Sequence, residues 1–345
     1  MTNQHEITKR MPLLNREGNL TEPGWARSLL WDYHRPDIRA SGMRIKEWDY
    51  YFVSNGHIGL ALTIADNGYM GLDSVSYLDF DEKWEITKSP MRLLPMGKTA
   101  LPETSAAGSS EIARGGYALA FYHDDDGTRK LTFHMDKFRG KDAIEGMISL
   151  SDEPAESMVI ATPFGKAGHF YYNQKINCMR ASGWIELGGA RVELDPKTWF
   201  AVLDWGRGVW TYHNTWYWGS ASGELDGVPF GWNIGYGFGD TRAASENVLF
   251  YGGKIHKLSQ VRFEIPMQDG KEDYLAPWRF SSDDGRFEMA FAPILNRAAC
   301  TSVGVIKSDQ NQVFGRFTGT AALDDGTVLR VHDFFGFAEK VENKW

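Results

Sequence analysis

Two cysteines are all that the 345 residues contain. Cys178 and Cys300 stand in no C-x-x-C or other metal spacing, so a disulfide framework and a cysteine-held metal are excluded, and both thiols are expected to be reduced and buried. Long apolar runs are missing too. No segment reaches the ~18 residues of a membrane span, and the first residues hold no apolar stretch of signal-peptide length. These absences predict a cytoplasmic chain with no stable membrane insertion. Basic runs are also lacking, and the formal charge is −8, which argues against nucleic acid as a partner because its phosphates demand basic patches. The nine histidines form no H-x-H, H-x-x-x-H or H-E-x-x-H pattern, so no metal site is expected. Gly235-x-Gly237-x-Gly239 lacks the spacing of a dinucleotide loop and reads as strand glycines. Neither a G-x-S-x-G elbow nor a Walker pattern occurs, and no cofactor is expected.

Aromatics are plentiful: thirteen Trp, fourteen Tyr and twenty Phe, beside 37 Gly. That mixture suits a β-barrel, with glycines at turns and bulges and rings filling the interior or lining a cavity. Helical periodicity is scarce. One short N-terminal helix is predicted over 23–33, from Leu29, Leu30 and Tyr33, ended by Arg35-Pro36. Elsewhere a period of two dominates, predicting strands at 48–53, 57–64, 69–80, 144–150 and 158–162. Asn55-Gly56, Asn67-Gly68, Asp126-Gly127, Asp284-Gly285 and Asp325-Gly326 are hairpin turns in this reading. The polar stretch 102–116 reads as an exposed loop. The fold class is therefore all-β, built of antiparallel meanders. Length favours two domains, placed at 1–210 and 211–345; the sequence assigns no oligomeric state.

The stretch from Trp199 to Asn247 concentrates rings and polar groups. Asp204 and Arg207 lie among large apolar residues, where a charge must pair or shift toward neutrality. A turn at Gly206–Gly208 brings Arg207 back toward Asp204 in this reading. Two interpretations stay open: a structural ion pair, or a general acid, Asp204, oriented by Arg207. His213 is a second acid/base candidate or a surface histidine. Strand alternation puts Trp216 and Trp218 on one face. Trp210, Tyr212, Trp216, Trp218, Asn233, Glu246 and Asn247 are the candidate substrate-binding residues.

Several segments together resemble the bacterial family called domain of unknown function 2804: Leu13-Leu14-Asn15 with Gly18, Glu22-Pro23-Gly24-Trp25, Lys46-Glu47-Trp48-Asp49-Tyr50-Tyr51, Leu203-Asp204-Trp205-Gly206-Arg207-Gly208, Trp216 with Trp218, Gly231 with Asn233, and Glu246-Asn247. That name carries no activity. More distantly, the order of apolar strand, Asp, Trp-Gly and then Trp-x-Trp is similar to the carotenoid 1,2-hydratase and AttH-like group. The resemblance implies two lipocalin-like β-barrels packed together. It also implies a cofactor-independent hydratase, isomerase or cyclase acting on an isoprenoid- or fatty-acyl-like molecule, with Asp204 at the position of the protonating acid. The group shows Asp-x-x-Trp, whereas Trp205 follows Asp204 directly here and Arg207 is added. An arginine beside the acid would weaken alkene protonation. A non-catalytic carrier of a hydrophobic small molecule is the second reading, and a carbohydrate-active sandwich the third.

Overall fold

The computed structural model describes residues 4–124, 126–303 and 306–344. Alternating side chains and frequent glycine turns produce strands almost everywhere, and these assemble into two large curled sheets, one of 14 strands and one of nine. Seven strands position the site: β1 (Ile45–Ser54), β2 (Phe170–Leu187), β3 (Phe200–Val209), β4 (His213–Leu225), β5 (Val228–Tyr236), β6 (Ile306–Ala322) and β7 (Val328–Lys344). In the first sheet β1, β3 and β2 are neighbours; in the second the order is β5, β4, β7, β6. All these pairings are antiparallel. The chain passes from one sheet to the other at residues 210–212. No helix among the described residues is long and apolar enough to cross a membrane.

Three hydrophobic clusters follow from the alternation. One lies within the first sheet and takes Ala201, Leu203, Trp205 and Val209 from β3. One lies within the second and holds Trp232, Phe280 and Phe317. The last is shared between the sheets and joins Tyr50, Phe52 and Val202 to Trp218, Phe314 and Phe337. Strand β2 carries a register shift between Ile176 and Met179. There Asn177 reaches the second sheet, donating to Ser220 Oγ and to the carbonyls of Ala221 and Trp232.

Three expectations are corrected. The predicted helix over 23–33 is absent; Gly24–Ala26 and Trp31–Asp32 are short strands. An eleven-residue helix is marginal by itself, and this segment instead pairs with Met158–Pro163 through Val159–Ala26, Ile160–Trp25 and Ala161–Gly24. Within the expected loop 102–116, Gly108–Arg114 is an edge strand paired with Tyr117–His123. Cys178 is buried but Cys300 is exposed, because its strand runs on past the core with only Asp309 opposite.

Candidate functional site

The pair predicted between Asp204 and Arg207 does not form. Residues 206–208 are continuous strand, not a turn, so residues three apart point to opposite faces. The two glycines answer close approach instead: a Cβ on Gly206 would lie 2.0 Å from the Trp48 ring, and one on Gly208 2.5 Å from the Phe170 carbonyl oxygen. Arg207 enters the first sheet's interior. It donates to Asp49 Oδ1 at 2.9 Å and to the carbonyls of Trp48, Gly206 and Pro102, with its guanidinium over the Trp205 ring. Glu47 stands 3.9 Å away and is held by Arg35 and by the Tyr33 hydroxyl.

Asp204 faces the other way, into the gap between the sheets. Its cation is Lys175, directly across the ladder on β2, at 2.9 Å. Asn173 Nδ2 donates to Asp204 Oδ1 at 2.6 Å, and Tyr50 flanks Asp204 from β1. The second sheet answers with its own row. Glu339 on β7 lies between Trp218 and Gln312. It accepts from Gln312 Nε2 at 3.1 Å and from Trp216 Nε1 at 3.0 Å. The two rows touch: the Lys175 ammonium lies 4.0 Å from the centre of the Trp218 ring, and the Tyr50 ring packs edge-on against Trp218. Tyr171 donates to Glu246 Oε2 at 3.1 Å, and Trp218 Nε1 reaches Asn233 Oδ1 at 2.7 Å.

This is a dry place for so much charge. Lys175, Asp204, Glu246 and Glu339 are all buried. Burial, a nearby Asp204 charge and only partial relief from Lys175 push Glu246 up from the ordinary carboxylate range. Burial pushes Glu339 up to about 7, against the lowering effects of the Trp216 hydrogen bond, Arg297 and Lys175. Burial lifts Tyr50 to about 12 and holds Tyr171 well above the ordinary phenol range. Three oxygens here, Asn173 Oδ1, Glu246 Oε1 and Gln312 Oε1, are buried with no hydrogen-bond partner among the described residues. Native proteins leave few such atoms.

The layer next to this one is open. A cleft of about 300 Å³ lies between the sheets, lined by Phe52, Val202, Ser220 and Phe337 among others. Each of those four sits two residues from a member of the polar layer on its own strand: Tyr50, Asp204, Trp218 and Glu339. One pleat repeat, ~7 Å, therefore separates the cleft from the acids. On the far side, Trp48, Trp210 and Trp216 close the layer, with Trp210 edge-on to both other indoles.

The structure thus brings together Asp204, Trp210, Trp216, Trp218, Asn233 and Glu246. Trp216 and Trp218 share the inter-sheet face, while Tyr217 packs into the second sheet. Arg207 lies behind β3. His213 and Tyr212 are exposed at the crossing between sheets. Asn247 spends its amide on backbone, accepting from Gly235 N and donating to the Ser259 carbonyl. Sequence reasoning missed Lys175, Glu339, Gln312, Asn173 and Tyr50. The signal was present: Tyr171-x-Asn173-x-Lys175 and Phe335-x-Phe337-x-Glu339-x-Val341 each place a polar residue in an apolar slot of an alternating strand.

Fold and site together define a two-sheet, all-β lipocalin-like protein with a buried acid cluster between its sheets. The chain belongs to the DUF2804 family, the domain of unknown function whose model it matches over residues 4–345. No curated protein matches it in sequence. Its fold is similar to that of an AttH-like protein from Nitrosomonas europaea, at 12% identity and a TM-score of 0.53, covering 87% of this chain and 92% of that one. CghA aligns at 10% identity and a TM-score of 0.49 over 97% of both chains. Kievitone hydratase from Nectria haematococca aligns at 9% and 0.47, over 97% of this chain and 98% of that one.

Proposed function

We propose that this chain is a hydratase-type enzyme that adds water across a carbon–carbon double bond of a hydrophobic small molecule, with the cleft as the way in. The observation that carries the reading is the layer itself: three carboxylates, of which only Asp204 is salt-bridged to Lys175, lie in a buried space walled by indoles. Glu339, rather than Asp204, is the proton donor, because burial keeps it protonated near neutral pH while Asp204 is tied to Lys175. The alkene π pair takes the Glu339 proton and forms a C–H bond. The positive charge left on the other carbon faces ring surfaces, which stabilise cations. Water then forms the C–O bond and gives its proton to a carboxylate of the cluster, from which Glu339 is recharged. Side-chain acids suffice for this chemistry. The order of apolar strand, Asp, Trp-Gly and Trp-x-Trp, which is similar to that of the hydratase group, supports the same class.

The test is incubation of the protein with a panel of terpenoid and unsaturated fatty-acyl alkenes in ¹⁸O-labelled water. A labelled alcohol is expected, and Glu339→Gln abolishes it. If no alcohol forms and native mass spectrometry shows the same lipid bound to wild type and Glu339→Gln alike, the carrier reading replaces this one. The carbohydrate reading draws no support from the rings, since Trp218 is only 4% exposed.

A further inference from the structure

Among the described residues ten large apolar side chains are exposed, and five of them, Met43, Met91, Leu93, Leu94 and Met96, belong to one feature. Leu93 is 88% exposed. The feature is an exposed turn after Met91–Leu93, seated on two neighbouring loops. Leu94 N donates to the Tyr69 carbonyl and Met96 N to the Gly68 carbonyl, and Gly97 N donates to Asp66 Oδ2. Gly68 in turn rests on the Gly42 carbonyl, where a Cβ would come within 2.3 Å, and the Met96 methyl lies beside Gly42. Arg92 anchors the base through two bonds to buried Asp73.

Exposure is imposed here, not accidental. Leu94 and Met96 hold φ of 49° and 52°, a left-handed conformation that costs energy for such residues. The alternative of tucking these side chains away is closed by the backbone bonds beneath. Charge completes the picture. In a chain of net charge −8, residues 86–102 hold Lys88, Arg92 and Lys98 with no Asp or Glu, and residues 38–46 hold Arg39, Arg44 and Lys46 with no acid. Arg92 and Lys46 are buried, while Lys88, Lys98 and Arg39 are exposed.

We propose that this Met/Leu turn docks the protein peripherally on an anionic lipid surface. Leu93, Leu94 and Met91 enter the acyl boundary, and Lys88 and Lys98 meet the headgroups. A set of exposed unbranched and γ-branched chains, Met91, Leu93, Leu94 and Met96, with no exposed aromatic ring among them, suits a fluid layer better than a protein pocket, whose anchors favour Trp, Tyr and Arg. The turn and the cleft sit at opposite ends of β1: the loop at Gly42–Arg44 precedes it, and Ser54, Asn55 and Gly56 line the cleft. Ten residues at ~3.3 Å each place the cleft mouth well away from the docked surface.

Co-sedimentation of the full chain with phosphatidylcholine vesicles, with and without phosphatidylserine, tests this. Binding to the phosphatidylserine vesicles is expected, falling as salt rises. Leu93→Asp is expected to weaken it about ten-fold or more, and Lys88→Gln or Lys98→Gln about five-fold each. Leu93→Ser repeats the first result without adding charge, and an unchanged unfolding curve certifies both folds. The proposal fails if neither vesicle binds, if Leu93→Asp and Leu93→Ser bind as wild type does, or if sedimentation shows a dimer that Leu93→Asp dissolves, which would give the surface to a second copy of the chain.

Discussion

One strand, β3, serves two buried charge clusters, and they differ in how completely they are paired. On the first-sheet side, Arg207 and Arg35 face Asp49 and Glu47, two cations to two carboxylates. Three backbone carbonyls and the Tyr33 hydroxyl take most of the remaining hydrogen bonds. On the inter-sheet side, among the described residues Lys175 makes the one salt bridge, to Asp204, while the Asp204 charge helps to push both Glu246 and Glu339 up. Arg297 relieves Glu339 from a distance but hydrogen-bonds to Ser76. Burial alone does not mark a functional site, since both clusters are buried. The imbalance does: the first-sheet network matches its charges one to one, although Arg207 Nε has no partner among the described residues, and such pairing fixes structure, whereas the spare acids and three unpartnered oxygens of the other cluster are held ready for something else.

The comparison breaks if the two clusters respond alike to mutation. The largest effect expected is on catalysis. Glu339→Gln keeps an acceptor for Trp216 Nε1 and removes only the proton donor, so the hydration rate is expected to fall by about 10²–10⁴, while at pH 4, where Glu339 is neutral, stability changes by no more than about 1 kcal/mol. Rate assays and urea unfolding on the same preparation decide it. Next is Arg207→Met, which leaves Asp49 and Glu47 buried without their shared cation. A loss of about 3–5 kcal/mol is expected in urea unfolding. A loss under about 1 kcal/mol would show the network to be dispensable and the distinction empty.

A third effect sharpens the contrast through pH. Glu339 has a folded value of about 7 against an ordinary 4.5. The folded state therefore keeps a proton that the unfolded state has released. This contribution is fully present below about pH 4.5 and disappears as pH rises through 7. Its size is roughly 3 kcal/mol at most. The difference in unfolding free energy between wild type and Glu339→Gln, followed from pH 4 to pH 8, isolates it, since the other titrations largely cancel. A flat difference curve would mean that Glu339 is an ordinary carboxylate and the inter-sheet cluster is balanced after all.

Much of the architecture was legible because strand alternation and Asn-Gly or Asp-Gly turns are local signals. The run at 48–53 lies inside β1, and Asp325-Gly326 does join β6 to β7. The site was legible only in part. Asp204, Trp216 and Trp218 announce themselves by standing in one aromatic stretch. Lys175 and Glu339 are 164 residues apart in the chain and meet only because β2 and β7 face each other across the gap between sheets. No local pattern carries that. Arg207 misled for the opposite reason: it is near Asp204 in sequence, and two glycines beside it imitate a turn. What those glycines record is the Trp48 ring and the Phe170 carbonyl pressed against β3.

The smallest effect tests the boundary of the site. His213 begins β4 opposite Lys344, on the exposed side of the crossing between sheets. Its neighbour Asn214 is buried and bonded to Thr211, so the turn holds without the imidazole. His213→Ala is therefore expected to change stability by no more than about 0.5 kcal/mol and to leave the hydration rate and its pH profile as they are. The residue looks suited to acid/base work only in one dimension, beside Tyr212 and before Trp216. A rate loss in His213→Ala would extend the reactive layer past the tryptophan wall, to a surface where water screens charge, and would remove the reason for assigning the proton to a buried glutamate.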